Sequence, residues 1–243
     1  MGVAGLRALF LQALYPAVTK AVFEHSDFRA DPWGRLRRTA EYVGMSTFGS
    51  TDDAQLAAAQ VRAIHRRIPG AEDPQLLLWV HCCEVDSFLS TARRGGLRLS
   101  ATDVDRYVAE QVTAARLVGA DDGPGSLAEL RTYFDDVRPS LALSPEAADA
   151  ARFLLFPPMK LPLALGAPAR TAWAGLATLG FALLPRWARR MYRLPGVPTT
   201  DLGATATLRA LRMGLLAVPP SQREGPHVKA ARSRMQASTT SPA

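Results

Sequence analysis

A chain of 243 residues that is 48% hydrophobic and 21% charged can bury one sizeable core, and no interior linker divides it, so residues 1–220 are read as one domain. The net charge of +7 invites a nucleic-acid reading, but Arg223, Lys229, Arg232 and Arg234 against Glu224 place +3 of it in residues 221–243, which read as a disordered basic tail. No basic patch is interleaved with aromatics, so nucleic acid is set aside as a partner, and adjacent Cys82 and Cys83 cannot easily bridge each other, so no disulfide framework is expected.

Ala, Leu and Arg are abundant, aromatics make up only 7%, and β-branched residues rarely follow one another, which together predict an all-α fold. Gly5 to Leu14 reads as a helix with Leu6, Leu9, Phe10 and Ala13 on one face, and Pro16 restarts the chain into a second. No small-residue cleavage site follows this apolar start, so a cytoplasmic location is expected. Asp31-Pro32 then caps a helix that runs past Tyr42 to Phe48. Arg35 and Thr39 are four apart on it, so a cation and a hydroxyl point the same way.

The next helix opens at Ser50 or Thr51, with Asp52 and Asp53 suited to its positive end, and stops at Pro69-Gly70. Ala57, Val61, Ile64 and Ile68 form its apolar stripe, and His65 falls inside that stripe. By spacing alone, a hydrogen-bonded core histidine is the plainer reading of His65.

Asp73-Pro74 opens a helix through Ala92 that closes at Gly95-Gly96, and His81 lies on its apolar face with Glu84 three residues on. That spacing can bind a metal, but no matching pair occurs elsewhere, so His81 is read as packed or bonded to a neighbouring helix. Ser100 with Asp103 and Ser126 with Glu129 are capping boxes for two further helices, and Ser144-Pro145 caps another. Leu161 to Leu184 is the most apolar region. Pro162, Pro168 and Arg170 interrupt it, leaving Thr171 to Leu184, a length suited to a buried helix rather than a membrane span. A peripheral membrane contact is kept as an alternative there. Thr199 or Thr200 caps the last predicted helix, Asp201 to Val218, before Pro219-Pro220.

Taken in order, Leu11-Gln12-Ala13-Leu14-Tyr15-Pro16, His25-Ser26-Asp27-Phe28, Asp31-Pro32-Trp33-Gly34-Arg35-Leu36-Arg37-Arg38-Thr39, Thr47-Phe48-Gly49, His65 and Leu78-Trp79-Val80-His81 resemble the haem-b oxygenase family. That family holds the bacterial latex-clearing (rubber) oxygenases and the fungal mycophenolic-acid pathway B oxygenase, and the resemblance covers roughly Gly5 to Pro220. It implies a multi-helix domain enclosing a haem pocket. It also implies haem b held through its iron by His65, with Arg35 and Thr39 as catalytic and cofactor-binding residues. The implied partners are O2 and an apolar small molecule, with oxidative C=C cleavage of an isoprenoid or other alkene as the precedent. Tyr15 stands where many members have His, and Arg38 where the latex-clearing branch has Lys; guanidinium is a poor iron ligand. These departures keep two other readings beside the oxygenase: a non-catalytic haem-binding protein and a helical interaction protein.

Overall fold

Thirteen α-helices and no strand make up the described part of the chain, which in this computed structural model is residues 2–25, 29–159 and 162–240. The Ser26-Asp27-Phe28 segment of the sequence motif lies outside the described residues. The all-α expectation holds. From Pro32 to Leu155, each α-helix begins where a side chain satisfies amides that the helix itself leaves open.

Helix α1 (Gly2–Gln12) is the central strut, with Leu6, Phe10 and Leu11 buried. It packs along α5 (Pro74–Arg94) on one side and α9 (Leu163–Ala182) on another. Gly180 makes the second contact close. A Cβ there would stand 3.0 Å from Leu6 Cβ and 3.2 Å from the Val3 carbonyl oxygen, so only hydrogen fits without moving backbone. The first contact is tied by side chains: the Trp79 indole donates to the Gln12 carbonyl at 3.2 Å, and the Gln12 amide donates to the Val80 carbonyl at 3.2 Å. Two of the motif segments therefore meet across α1 and α5, with Tyr15 tilted against Trp79 at 5.9 Å.

Helix α2 (Pro16–His25) starts on proline, as its sequence predicts, and packs on α8 (Pro145–Leu155). Helix α3 (Pro32–Phe48) is capped by Asp31, whose carboxylate accepts from Gly34 N at 2.9 Å. A Cβ on Gly34 would lie 1.8 Å from that carboxylate. The Asp-Pro-Trp-Gly run is thus a helix start in which the cap requires the glycine. Trp33 anchors the same turn, donating to the Pro158 carbonyl at 3.1 Å and meeting Trp173 edge-on at 4.8 Å.

Helix α4 (Thr51–His65) folds back on α3 through a reciprocal capping box between Ser50 and Asp53. Its other partner is α6 (Ala101–Val118), which has the same box between Ser100 and Asp103 and ends on left-handed Gly119 at φ 90°. Of the predicted α4 stripe, Ala57 is buried, but Ile64 is 55% exposed. The stripe is narrower than its periodicity predicts because α4 is covered by α3 and α6 and not by a full layer. Helix α7 (Leu127–Val137) follows, buried through Leu130 and Phe134.

Several boundaries differ from expectation: α1 lies two to three residues early, and α4 ends at His65, ahead of Pro69-Gly70. Helix α9 begins at Leu163, eight residues early, and holds Pro168 in its second turn; a proline there forfeits one intrahelical bond and need not end the helix. Among the described residues no helix is long and apolar enough to cross a membrane. After α10 (Arg186–Met191), α11 (Pro198–Ala217) starts just ahead of the predicted caps. In the stretch 221–243, read from composition as a disordered tail, the described residues take part in α12 (Pro220–Arg223) and α13 (Pro226–Thr240), and α13 lies on α3. Its docking point is Gly44, where a Cβ would come 2.5 Å from the His227 ring. Composition misses this because α13 has little apolar surface and rests on contacts with α3, including Arg234 to the Phe48 carbonyl.

Candidate functional site

Arg35 and Thr39 do share a face, and that face borders an apolar cavity of about 110 Å³ between α1, α2, α3, α8 and α9. The walls come from residues such as Leu9, Val22, Phe23, Phe153 and Trp173. Thr19, the other hydroxyl there, is spent on the Ala13 carbonyl at 2.7 Å, which leaves Thr39 at the exposed edge. Arg35 is the cation of this cavity. Burial, and then the nearby charge of Arg38, holds its guanidinium below the usual arginine range. Arg38 turns outward to Asp31 at 3.3 Å, so the residue in the lysine position of the latex-clearing branch does not line the cavity.

His65 lies at the C-terminal end of α4, half-buried, and does not line this cavity. Helix α3 contributes to both places: its Arg35–Thr39 face borders the cavity, while α4 packs against α3 and α6. The expected trio is therefore not gathered around one open pocket. What marks His65 is its Nδ1, buried and without a hydrogen-bond partner among the described residues. Burial lowers its pKa, with Glu72 opposing, so the imidazole is neutral and its nitrogen can donate an electron pair.

His81 is different. Its ring is bonded to the backbone of Gln111 on α6, and burial pushes its pKa down to about 4. A bond to a neighbouring helix is one of the two readings that the sequence left open for His81. Glu84, one turn on, is held up at about 7 by burial, against the opposing hydrogen bond of the Gln12 side chain. Tyr42 and Tyr107 feel the Glu84 charge and, chiefly through burial, are pushed up to about 12. A half-buried acid is thus linked through Gln12 to the cavity wall. Sequence reading noted Glu84 only as half of a metal pair, because the desolvation that makes it unusual comes from α1 and α6 packing on α5. Glu24 is 53% exposed beside Lys20 and His25, each at 3.9 Å, and lies outside the cavity.

The residues present can be tested against a haem group. Among the described residues there is no cluster of three or more His, Cys, Asp or Glu able to hold a bare metal ion. Haem iron takes its equatorial ligands from the porphyrin and needs one protein donor, which the unpartnered His65 nitrogen suits. A cavity of about 110 Å³ is well below the several hundred Å³ usual for such ligands. The donor chemistry fits, and the space is narrower than the group.

An all-helical domain with an apolar cavity edged by a half-buried arginine defines a broad structural class and no single activity. The particular family follows from comparison: the chain belongs to the family described as ER-bound oxygenase mpaB/B'/Rubber oxygenase, catalytic domain, which it matches over residues 1–215. No curated protein and no solved structure matches it.

Proposed function

We propose that the chain is a haem-b-dependent oxygenase with His65 as the protein ligand to iron. The single observation that carries this reading is the buried, unpartnered Nδ1 of His65 in a chain of an oxygenase family. When bound, haem b would supply the iron that activates O2. Arg35 would offer a fixed positive charge to a propionate or to a developing oxyanion, and Thr39 a hydroxyl to the same region. The leucines and aromatic rings of the cavity would hold an apolar substrate and exclude water, with an alkene or isoprenoid as the substrate class and oxidative C=C cleavage or related O2 chemistry as the reaction. A cytoplasmic location belongs to the same proposal and is supported by the unbridged, buried Cys82 and Cys83, with a peripheral membrane contact as its alternative.

Titrating the purified chain with haemin while recording the Soret band tests this reading. A saturable band that His65→Ala removes and His81→Ala keeps is the expected result. Incubation of the loaded protein with isoprenoid lipids under labelled O2 should then place label in a product. The narrowness of the cavity favours a second reading, a helical interaction protein without haem. It is the correct one if the parent chain shows no Soret shift with haemin.

A further inference from the structure

A second and larger cleft, of about 630 Å³, lies on the other side of α1, between α5, α7, α10 and α11. It contains none of the family-motif residues around Arg35 or His65. Its lining holds five arginines, Arg7, Arg94, Arg131, Arg138 and Arg186, against three aspartates, Asp86, Asp135 and Asp201.

The three carboxylates are already taken. Arg7 binds Asp86 at 2.7 Å, Arg138 binds Asp135, and Asp201 is shared by Arg186 at 2.6 Å and the buried Arg189 at 2.7 Å. Two cations of the lining are left over. Arg94 bonds neutral groups, the Thr205 hydroxyl at 2.9 Å and the carbonyls of Leu183 at 3.3 Å and Asp201 at 2.8 Å. Arg131, at the exposed rim, has no hydrogen bond or ion pair among the described residues. Burial holds the Arg94 guanidinium below its usual range, with Asp201 opposing and the charges of Arg7 and Arg189 adding to it. The remaining wall is apolar: Phe134, Leu183, Leu184, Trp187 and the 71%-exposed Leu202. Arg138 stacks over Trp187 at 5.0 Å, which fixes both the ring and the cation.

A concave site with surplus guanidinium charge at one part and an apolar wall at another matches an amphipathic anion. We propose that this cleft is a second ligand site, which binds a small molecule with an oxyanion head, phosphate or carboxylate, on an apolar body. Arg94 and Arg131 would hold the head, and Trp187 and Leu202 would cover the body. The volume suits a ligand of that size, and Arg7 and Arg189 beneath it keep the charged floor rigid because each is itself buried and bonded.

Calorimetric titration of the full chain with octyl phosphate, octanoate, inorganic phosphate and 1-octanol tests the proposal. Saturable binding of octyl phosphate or octanoate, weakened by salt, is expected, with the difference between these two arms naming the head group. Arg131→Glu and Leu202→Glu, both at exposed positions that leave the fold intact, should each weaken it about tenfold or more. Arg38→Glu, outside the cleft, and His65→Ala should leave it unchanged. The proposal is overturned if neither amphiphile binds, if 1-octanol binds as well as they do, if inorganic phosphate alone binds as tightly, or if the two rim variants bind like the parent.

Discussion

The Arg7 guanidinium donates to Asp86 Oδ2 at 2.7 Å, joining α1 to α5 at a point where the arginine is 3% exposed. The same side chain donates to the Ser87 hydroxyl at 2.6 Å and to the Leu183 carbonyl at 2.9 Å, so one cation closes three elements on one another. A charge so enclosed stabilises only while its partners are present. Arg7→Met keeps the stem but leaves the Asp86 carboxylate and the Ser87 hydroxyl without their partner, while the Leu183 carbonyl keeps Arg94. It is expected to cost about 3 kcal/mol in urea unfolding, and a loss below about 1 kcal/mol would show that water replaces the guanidinium.

The approach of α9 to α1 at Gly180 leaves no room for a side chain. Gly180→Val is expected to destabilise by roughly 1–3 kcal/mol through overpacking, despite the gain in helix propensity over glycine. A neutral or stabilising outcome in thermal unfolding would mean that α1 and α9 can part freely.

Gly44 and His227 should behave as a coupled pair. Replacing a helical glycine by alanine normally gains up to about 1 kcal/mol. Here the new methyl would lie 2.5 Å from the His227 ring, so Gly44→Ala should gain less in the parent chain than in a His227→Ala background. Equal gains in both backgrounds would mean that α13 does not rest on α3 in solution.

His81 and Glu84 set opposite pH dependences. With His81 at about 4 when folded against 6.5 unfolded, the unfolded chain binds the extra proton between those values, so stability falls as pH drops through that window. Glu84, at about 7 folded against 4.5 unfolded, keeps a proton that the unfolded chain loses, so stability falls as pH rises from 4.5 to 7. Each effect amounts to at most about 3 kcal/mol, and they oppose one another where the windows overlap. Urea midpoints of the parent should therefore vary little between about pH 4.5 and 6.5. Those of Glu84→Gln should rise with pH and those of His81→Gln should fall; parallel profiles for the two variants would refute the assignment.

Much of the fold is legible in the sequence because its signals are local. Ser50 with Asp53, Ser100 with Asp103 and Asp31 ahead of Pro32 each satisfy amides within four residues, so helix starts follow from spacing alone. The same holds for the shared face of Arg35 and Thr39, and the ordered motifs were enough to point to the family. What the sequence could not determine depends on residues far apart in the chain. Whether His65 and Arg35 open onto one space is decided by how α4 packs on α3 and α6. The docking of α13 is decided by a gap at Gly44, and the desolvation of Glu84 by α1 and α6 packing on α5. The arginine cleft is assembled from α1, α5, α7, α10 and α11, and its surplus charge appears only after Asp86, Asp135 and Asp201 have chosen their partners. Capping and helical periodicity act over one or two turns, whereas desolvation and charge pairing depend on the whole surrounding volume, which only the tertiary structure supplies.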